Sequence, residues 1–172
     1  MRVIRELGLL GLLLLPGLAA GEPLAIYGRY EQVRLEGLGQ TLAAKMDTGA
    51  LTASLSARDI RYFQRDGADW VRFRLALEGQ DRRWHEYPLA RVAGIRLRRE
   101  EQEDSGEPAA RRPVIEMPVC VGRQRQTIEI NLADRSGFRY PLLMGARAIG
   151  RLGAAIDPQR EYLAGRPACA SE

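Results

Sequence analysis

The sequence of 172 residues has one histidine and only two cysteines, which limits the metal sites that it can build. A zinc site needs three or four nitrogen, sulfur or oxygen ligands that converge on one point. His85, Cys120 and Cys169 supply too few ligands unless several carboxylates join them, so no metal is expected and His85 is predicted to be a surface or hairpin residue. Neither cysteine has a neighbouring histidine to activate it, which argues against a cysteine protease.

Two motifs of nucleotide and metal chemistry are missing as well. The sequence contains neither a Gly-x-x-x-x-Gly-Lys-Ser/Thr phosphate loop nor a His-Glu-x-x-His zinc motif. The formal net charge of +4 is mildly basic, and Lys45 is the single lysine beside many arginines. Nucleic-acid binding would favour a denser basic patch. No cofactor and no nucleic-acid partner are therefore expected.

The sequence also lacks an apolar run of the roughly 20 residues that cross a membrane as a helix. Its most apolar stretch, residues 7–15, follows Arg2 and Arg5 and precedes a run of small residues. This order is typical of a secretory signal peptide. We predict a signal peptide over residues 1–21, with a retained anchor as the alternative. The mature domain, residues 22–172, is then periplasmic and meets the membrane only through the export signal.

The two cysteines permit one disulfide in an exported protein. Cys120 lies in a predicted strand and Cys169 lies close to the C-terminus, so a bridge would tie down the tail. Free or intermolecular thiols remain an open alternative at this point.

What the sequence does have is one Asp-Thr-Gly triplet, Asp47-Thr48-Gly49, directly after a short apolar segment. Aspartic proteases present their catalytic acid in such a triplet. Glycine allows backbone conformations that are closed to other residues, and the threonine hydroxyl can brace the turn by hydrogen bonds. The alternative is an ordinary turn, since aspartate and glycine are common turn residues.

The protease interpretation of this triplet requires two acids. Two carboxylates a few ångströms apart share one proton, so that one activates water and the other protonates the leaving amine. Because the chain has one triplet, the pair has to form across a homodimer, with one Asp47 from each subunit.

A wider pattern supports that interpretation, because the chain resembles a bacterial family of retropepsin-like aspartic endopeptidases whose older name is ATP-dependent zinc protease. The resemblance runs in order over most of residues 26–165. It is carried by Tyr27 to Glu31, by Lys45 to Ala50 with Ser54-Leu55, by Trp70 to Phe73, by Asn131 to Ser136, and by Tyr140 to Gly145.

The resemblance implies roles for individual residues. Asp47, Thr48 and Gly49 are expected to be catalytic, and Ala50 is expected to contact substrate. In proteases of the retroviral type an apolar strand that ends in glycine packs beneath the catalytic turn. The matching support residues in this chain are Leu142, Leu143, Met144 and Gly145.

The sequence departs from the family at one position. Members have an arginine directly after the glycine of this strand, where this chain has Ala146 and then Arg147. In related proteases that arginine supports the active-site turn and the dimer. Either Arg147 takes over this role after a local shift, or the support and the dimer are weakened.

Short strands at regular spacing, with turn signals between them, favour an all-β barrel or sandwich. The resemblance implies a small closed barrel of the retropepsin-like type with one short helix. Residues 70–77 alternate apolar and polar and are predicted to pair with residues 82–89 in a hairpin. This hairpin is either a flap over the substrate or an ordinary sheet hairpin. Four of its side chains are predicted to bind acidic substrates: Arg72, Arg74, Arg82 and Arg83.

Two segments are predicted to be irregular. Residues 56–60 resemble a brief helical turn with Ser56 as its cap. Residues 97–113 are highly charged and contain glycine and proline, which favours a mobile surface loop within one domain.

The leading hypothesis is an exported aspartic endopeptidase that acts as a homodimer on a peptide or protein substrate, with acidic peptides as the first substrates to try. The rival is a non-catalytic periplasmic module that binds peptides, keeps the protease fold and uses Asp47 as a turn and dimer residue. Replacement of Asp47 by asparagine separates the two, because only the enzyme would lose its activity.

Overall fold

The computed structural model describes residues 24–77, 83–96 and 109–170. The predicted signal peptide, the tip of the predicted hairpin and residues 97–108 lie outside the described residues. Among the residues that are described, no helix is long and apolar enough to cross a membrane. The strands are β1 (Ala25–Gly28), β2 (Tyr30–Leu35), β3 (Gln40–Asp47), β4 (Ala53–Arg65), β5 (Ala68–Leu75), β6 (His85–Pro88), β7 (Arg91–Arg96), β8 (Ala109–Val121), β9 (Gln124–Ala133), β10 (Leu142–Gly145) and β11 (Ala154–Asp157), and the helix is α1 (Ala146–Arg151).

Six of these strands close into a barrel. They follow the order β10-β3-β2-β8-β9-β4, and β10 also pairs with β4, which completes the ring. β10 is parallel to β3 and antiparallel to β4. β5 and β6 extend the sheet from β4, and β7 pairs with β8. The predicted all-β fold with a closed barrel and one short helix is therefore confirmed.

The barrel forms because its strands alternate inward apolar side chains with outward ones. β2 buries Val33 and Leu35, and the neighbouring β3 buries Leu42, Ala44 and Met46. This two-residue period is that of a strand with one face on a core. It also decides which side chains at the end of β3 point outward.

Residues 56–60 form no helical turn, so that prediction is wrong. β4 runs through them and pairs with β9 and then with β5. The irregularity in the pattern comes from a bulge: Asp59 has a left-handed backbone (φ 54°), and the register of β4 against β5 shifts between Arg58 and Arg61. A bulge bends a strand and redirects its side chains.

The loop predicted over residues 97–113 ends earlier than expected, because β8 begins at Ala109. The first residues of β8 pair antiparallel with β7, with Arg112 opposite Ala93. A charged composition predicts that the side chains of the segment are solvated. At the edge of a sheet the side chains are solvated while the main chain pairs with the neighbouring strand.

The predicted hairpin is confirmed in its strands. β5 and β6 pair antiparallel with Phe73 opposite His85, and the centroids of these two rings lie 5.8 Å apart. His85 is thus a hairpin residue, as predicted. It is buried rather than on the surface, because its ring packs on Phe73.

The C-terminal segment is fastened to the start of the barrel, and we call residues 27–31 with residues 160–169 the tail clasp. A disulfide joins Cys120 to Cys169 across 49 positions of sequence, so the two thiols are not free. Gly28 approaches the segment so closely that a Cβ would lie 2.7 Å from main-chain atoms of the tail.

A buried carboxylate lies inside the tail clasp. Glu31 is 0% exposed, and it accepts the main-chain N–H of Gly28 at 2.6 Å and that of Ala164 at 3.2 Å. Burial raises the pKa of Glu31, and these hydrogen bonds offset part of that rise. Both ends of the clasp are therefore held by one acid.

Candidate active site

Asp47 is the last residue of β3, and its carboxylate closes the turn that follows. Because Met46 points into the core, Asp47 shares the outward face with Lys45. Asp47 Oδ1 accepts the N–H of Gly49 at 3.1 Å, and the carbonyl oxygen of Asp47 accepts the N–H of Ala50 at 3.2 Å. The Asp47 side chain is 24% exposed, so an acid held in a defined orientation still reaches solvent.

The structure revises the reasons given for the other two residues of the triplet. Thr48 is exposed, and within the described residues its hydroxyl makes no hydrogen bond, so the Asp47 carboxylate rather than Thr48 braces the turn. Gly49 has no left-handed φ, and a Cβ there would meet only Asp47 Oδ1 at an ordinary 3.4 Å. The contribution of Gly49 in this structure is its N–H donor, not an unusual backbone conformation.

β10 lies beside the turn that holds Asp47. Its parallel register with β3 puts Gly145 opposite Asp47 and Leu143 opposite Lys45. A Cβ on Gly145 would lie 2.6 Å from the carbonyl carbon and oxygen of Thr52, so the close approach requires glycine. The predicted support residues thus lie next to the turn: Leu142 and Met144 inside the core, Leu143 half-buried, and Gly145 against the outgoing chain.

The start of α1 holds the chain that leaves the turn. The N–H of Ala146 donates to the carbonyl of Ala50 at 2.7 Å, and the N–H of Arg147 donates to the carbonyl of Leu51 at 3.2 Å. The Arg147 side chain lines a cavity of about 260 Å³ between α1 and β9, together with Glu129 and others. The structure therefore brings the main chain of Arg147, not its guanidinium, to the turn.

Lys45 sets the charge of Asp47 in the single chain. Its Nζ lies 2.9 Å from Asp47 Oδ2. This hydrogen bond is the main cause that holds the pKa of Asp47 below its ordinary value; the Lys45 charge and the N–H groups of Gly49 and Ala50 lower it further, while partial burial raises it. Asp47 is thus ionised at neutral pH, and an ionised carboxylate can orient and activate a water molecule.

The hairpin arginines gather around an aromatic ring. The guanidinium carbons of Arg72 and Arg74 lie 5.2 and 5.0 Å from the ring centroid of Trp84. Arg83 is exposed, and Arg82 lies outside the described residues. This basic and aromatic face is on the hairpin, on different strands from the turn that holds Asp47, and its role in substrate binding stays a prediction.

Sequence reasoning missed two arginines, Arg58 and Arg135. The Nε atoms of both are buried and have no hydrogen-bond partner in the part of the chain that the structure describes. Arg135 also lies within electrostatic range of Asp47. The available signal was the segment 131–136, where charged residues follow directly after a buried strand.

The residues weighed as metal ligands have other partners. Cys120 and Cys169 are bonded to each other, and His85 packs on Phe73. Over residues 24–77, 83–96 and 109–170, no group of three or more His, Cys, Asp and Glu side chains could hold a metal ion.

Known protein families and structures resemble this arrangement. The family model described as RimB-like, retropepsin-like aspartic endopeptidase RimB, matches residues 26–167. Among solved structures, the protein Lpg0085 of Legionella pneumophila, described as a DUF785 protein of unknown function, has a TM-score of 0.68 and 31% identity. That likeness covers 81% of this chain and 98% of the Legionella chain.

Curated relatives carry a different name. A probable alpha-L-glutamate ligase of Parasynechococcus marenigrum is 32% identical over 145 residues, which are 81% of this chain and 29% of the relative. A probable alpha-L-glutamate ligase of Shewanella pealeana is 29% identical over 148 residues, again 81% of this chain and 30% of the relative. The chain thus spans less than a third of the length of these relatives.

Proposed function

Because the chain belongs to the RimB-like family of retropepsin-like aspartic endopeptidases, we propose that it hydrolyses peptide bonds with Asp47 as its catalytic acid. The observation that carries this proposal is the geometry of the turn. Asp47 ends a barrel strand, is oriented by the N–H of Gly49, and keeps part of its carboxylate exposed. An aspartate that only stabilised the turn would not need its carboxylate exposed to solvent.

The proposed enzyme is a homodimer, because the hydrolysis needs a second acid. Two Asp47 carboxylates related by a two-fold axis would share one proton. One of them would take a proton from the attacking water, and the other would protonate the amine as the peptide bond breaks. Thr48, beside Asp47, is exposed, so its hydroxyl is available for a hydrogen bond across that axis. A threonine that only braced the turn of its own chain would not need this exposure.

Acidic peptides are the proposed substrate class. The arginines on the hairpin offer a basic face, and guanidinium groups bind carboxylates through paired hydrogen bonds. The relatives are named for α-L-glutamate, which favours glutamate-rich peptides as the substrates. The ligase activity in that name belongs to proteins much longer than this chain and is not part of the proposal.

An exported, periplasmic location is proposed on two grounds. The N-terminal residues have the order of a signal peptide. The disulfide between Cys120 and Cys169 is of the kind that persists in oxidising compartments.

Hydrolysis of a glutamate-rich peptide library by the wild type and by Asp47→Asn tests the function. We expect cleavage by the wild type and a loss of at least about 10³-fold in Asp47→Asn, since the variant cannot act as acid or base. Asp66→Asn is the matched control, because Asp66 is exposed in the turn between β4 and β5 and asparagine tolerates its left-handed backbone.

A purified, folded wild type that binds these peptides without cleaving them would favour the rival, a non-catalytic peptide-binding module. Equal cleavage by the wild type and Asp47→Asn would move the catalytic acid elsewhere. A chelator is expected to leave the activity unchanged, and inhibition of the enzyme by a chelator would contradict an acid dyad.

A further inference from the structure

The outer face of the sheet formed by β4, β5 and β6 places like charges beside each other. Side chains of β5 alternate, with buried apolar residues inward and Arg72 and Arg74 outward. Arg61 of β4 lies directly opposite Arg72. Like charges at directly opposite positions of two strands destabilise a sheet. In the next row, Arg74 is neutralised by Asp59, whose carboxylate lies 2.8 Å away.

The opposed pair, Arg61 and Arg72, is not neutralised in the same way. Neither arginine has an ion pair with any of the described residues. Glu86 of β6 lies opposite Arg72, but its carboxylate pairs with Arg65 instead. The chain therefore leaves two adjacent positive charges on this face for an anion that comes from outside it.

Both tryptophans of the chain lie on the same face. Trp70 precedes Arg72 by two residues in β5, so the two side chains point in the same direction. The ring of Trp84 is 38% exposed. Three guanidinium carbons lie 5.5, 5.2 and 5.0 Å from its centroid, those of Arg61, Arg72 and Arg74. We call this surface, made by these three arginines and two tryptophans, the arginine face.

The rings of the arginine face are already covered by cations. Guanidinium groups lie over Trp84, and the guanidinium carbon of Arg65 lies 4.3 Å from the centroid of Trp70. Single-stranded nucleic acid is held on a sheet by bases that stack on aromatic rings, and here the cations take that place. The groups that this face suits are phosphates, because arginine presents a planar fork that matches their oxygens.

The arginine face is distant from Asp47 within one chain. Asp47 lies opposite Gly145, which packs against Thr52 just before β4. Arg61 follows Thr52 by nine residues, which is about 30 Å of strand. A partner on the arginine face can therefore be bound while a peptide occupies the turn.

We propose that the arginine face docks the domain on the anionic phospholipids of a membrane. Arg61 and Arg72 bind lipid phosphates, and Trp84 lies at the level of the head groups, where tryptophan is enriched in membrane proteins. Each arginine close to an anionic lipid surface adds to the affinity. The inference goes beyond the proposed hydrolysis and does not depend on Asp47, and the proposed export would bring the protein into a compartment bounded by membranes.

Sedimentation with lipid vesicles tests the docking. The chain is used from residue 22, because the barrel, the disulfide and the tail clasp lie within residues 24–170 and the apolar residues 7–15 would enter lipid on their own. We expect binding to mixed phosphatidylglycerol and phosphatidylcholine vesicles to be at least about tenfold tighter than binding to phosphatidylcholine alone. The double variant Arg61→Met/Arg72→Met should lose at least about tenfold in affinity for the anionic vesicles and nothing for the neutral ones.

The matched control is Arg123→Met/Arg166→Met, which removes two exposed positive charges from outside the arginine face. We expect its affinity for anionic vesicles to change less than about twofold. Equal losses in the two double variants would show that net charge rather than this face binds the lipid, and would overturn the proposal.

Tryptophan fluorescence gives a second measurement that needs no change of arginine. In Trp70→Phe the remaining tryptophan is Trp84. We expect its emission to shift to shorter wavelength on anionic vesicles and to stay unchanged on neutral ones. Unchanged emission from Trp84 in vesicle-bound protein would put the lipid contact elsewhere, and it decides the question if the arginine variant does not fold.

The outcomes separate the docking from the proposed function. Asp47→Asn should bind vesicles as the wild type does, so vesicle binding by a wild type that cleaves no peptide would retain the arginine face and reject the enzyme. Cleavage without binding to anionic vesicles would retain the enzyme and reject the docking. Failure to bind anionic vesicles, with a single-stranded oligonucleotide or a glutamate-rich peptide bound through Arg61 and Arg72 instead, would also overturn the membrane as the partner.

Discussion

Asp47 in the turn after β3 and Glu31 in the tail clasp are two acids placed in opposite environments. Asp47 reaches solvent and pairs with Lys45, which lowers its pKa. Glu31 is fully buried, no cation pairs with it among the described residues, and burial raises its pKa. Both carboxylates accept main-chain N–H groups, so hydrogen bonding alone does not distinguish them.

The difference lies in what each carboxylate is free to do. Glu31 uses both oxygens to join two distant parts of the chain, Gly28 and Ala164. Asp47 uses its oxygens on residues two positions away, which orients the carboxylate without burying it. We expect changes in the clasp to alter stability and changes at the turn to alter activity, and five variants, each with its own measurement, test that division.

The largest effect on stability is expected from opening the disulfide in the clasp. Cys169→Ser removes a cross-link that spans 49 positions, which should lower the free energy of unfolding by about 4 kcal/mol. Urea unfolding measures the loss, and peptide cleavage per folded molecule should not change. An unchanged unfolding midpoint, or a loss of activity in the folded fraction, would break the division between clasp and turn.

Removal of the buried acid should come next. Glu31→Ala leaves the N–H groups of Gly28 and Ala164 without their acceptor, which should destabilise the fold by about 3 kcal/mol. The control is Glu161→Ala, which removes an exposed ion pair with Arg29 and should change the stability little, because solvent screens such a pair. Similar losses in the two variants would mean that Glu31 is not the centre of the clasp.

Glu31 also makes the stability of the fold depend on pH, in a direction that follows from its raised pKa. The pKa of Glu31 is raised in the folded state, so its contribution to stability is complete below its ordinary value of 4.5 and declines as the pH rises through the folded-state pKa. Glu31→Gln cannot titrate, so it should lose this decline. The measurement is the urea unfolding midpoint of the wild type and of Glu31→Gln across this pH range. Midpoints that change with pH in the same way in both proteins would contradict the assignment.

A smaller loss of stability, with a large loss of activity, is expected at the turn. Gly145→Ala forces a Cβ to 2.6 Å from the main chain of Thr52, which should cost about 2 kcal/mol and displace the turn. Gly150→Ala is the control, since Gly150 lies in α1 and a Cβ there meets nothing within 4 Å, and the change should stabilise the fold by up to about 1 kcal/mol. Full activity in Gly145→Ala would show that the β10 register does not position Asp47.

The smallest change in stability should come from Lys45→Met. The ion pair is partly exposed, so its loss should cost less than about 1 kcal/mol. Without Lys45 the pKa of Asp47 rises, and the pH at which the acid pair loses its last shared proton should rise with it. The pH profile of kcat/KM should therefore move to higher pH, and an unmoved profile would separate Lys45 from the chemistry.

Local patterns predicted the parts of the molecule that depend on neighbouring residues. The alternation in β5 predicted the hairpin, and the glycine after Met144 marked the strand beside the turn. The prediction of a helical turn at residues 56–60 was wrong, because a bulge in a strand gives the same local irregularity in the pattern of apolar and polar residues. The length of the loop before β8 was wrong because it depends on pairing with β7.

The site was predicted less completely than the fold, for a physical reason. Asp47 was singled out by its triplet, yet the hydrogen bond from the N–H of Arg135 to Ser56 depends on the parallel register of β4 and β9, which no short motif records. The burial of Glu31 likewise depends on a tail more than 130 positions away. Thr48 and Gly49 were assigned the turn-forming role that the Asp47 carboxylate performs.

Mixing of subunits tests most directly the claim that each active centre needs one Asp47 from each of two chains. Wild-type and Asp47→Asn chains are refolded together at constant total concentration, and cleavage of a glutamate-rich peptide is measured against the wild-type fraction. The account predicts that activity follows the square of that fraction, about a quarter of full activity at equal amounts. Activity proportional to the fraction itself would mean that single chains cleave alone, and it would contradict the account.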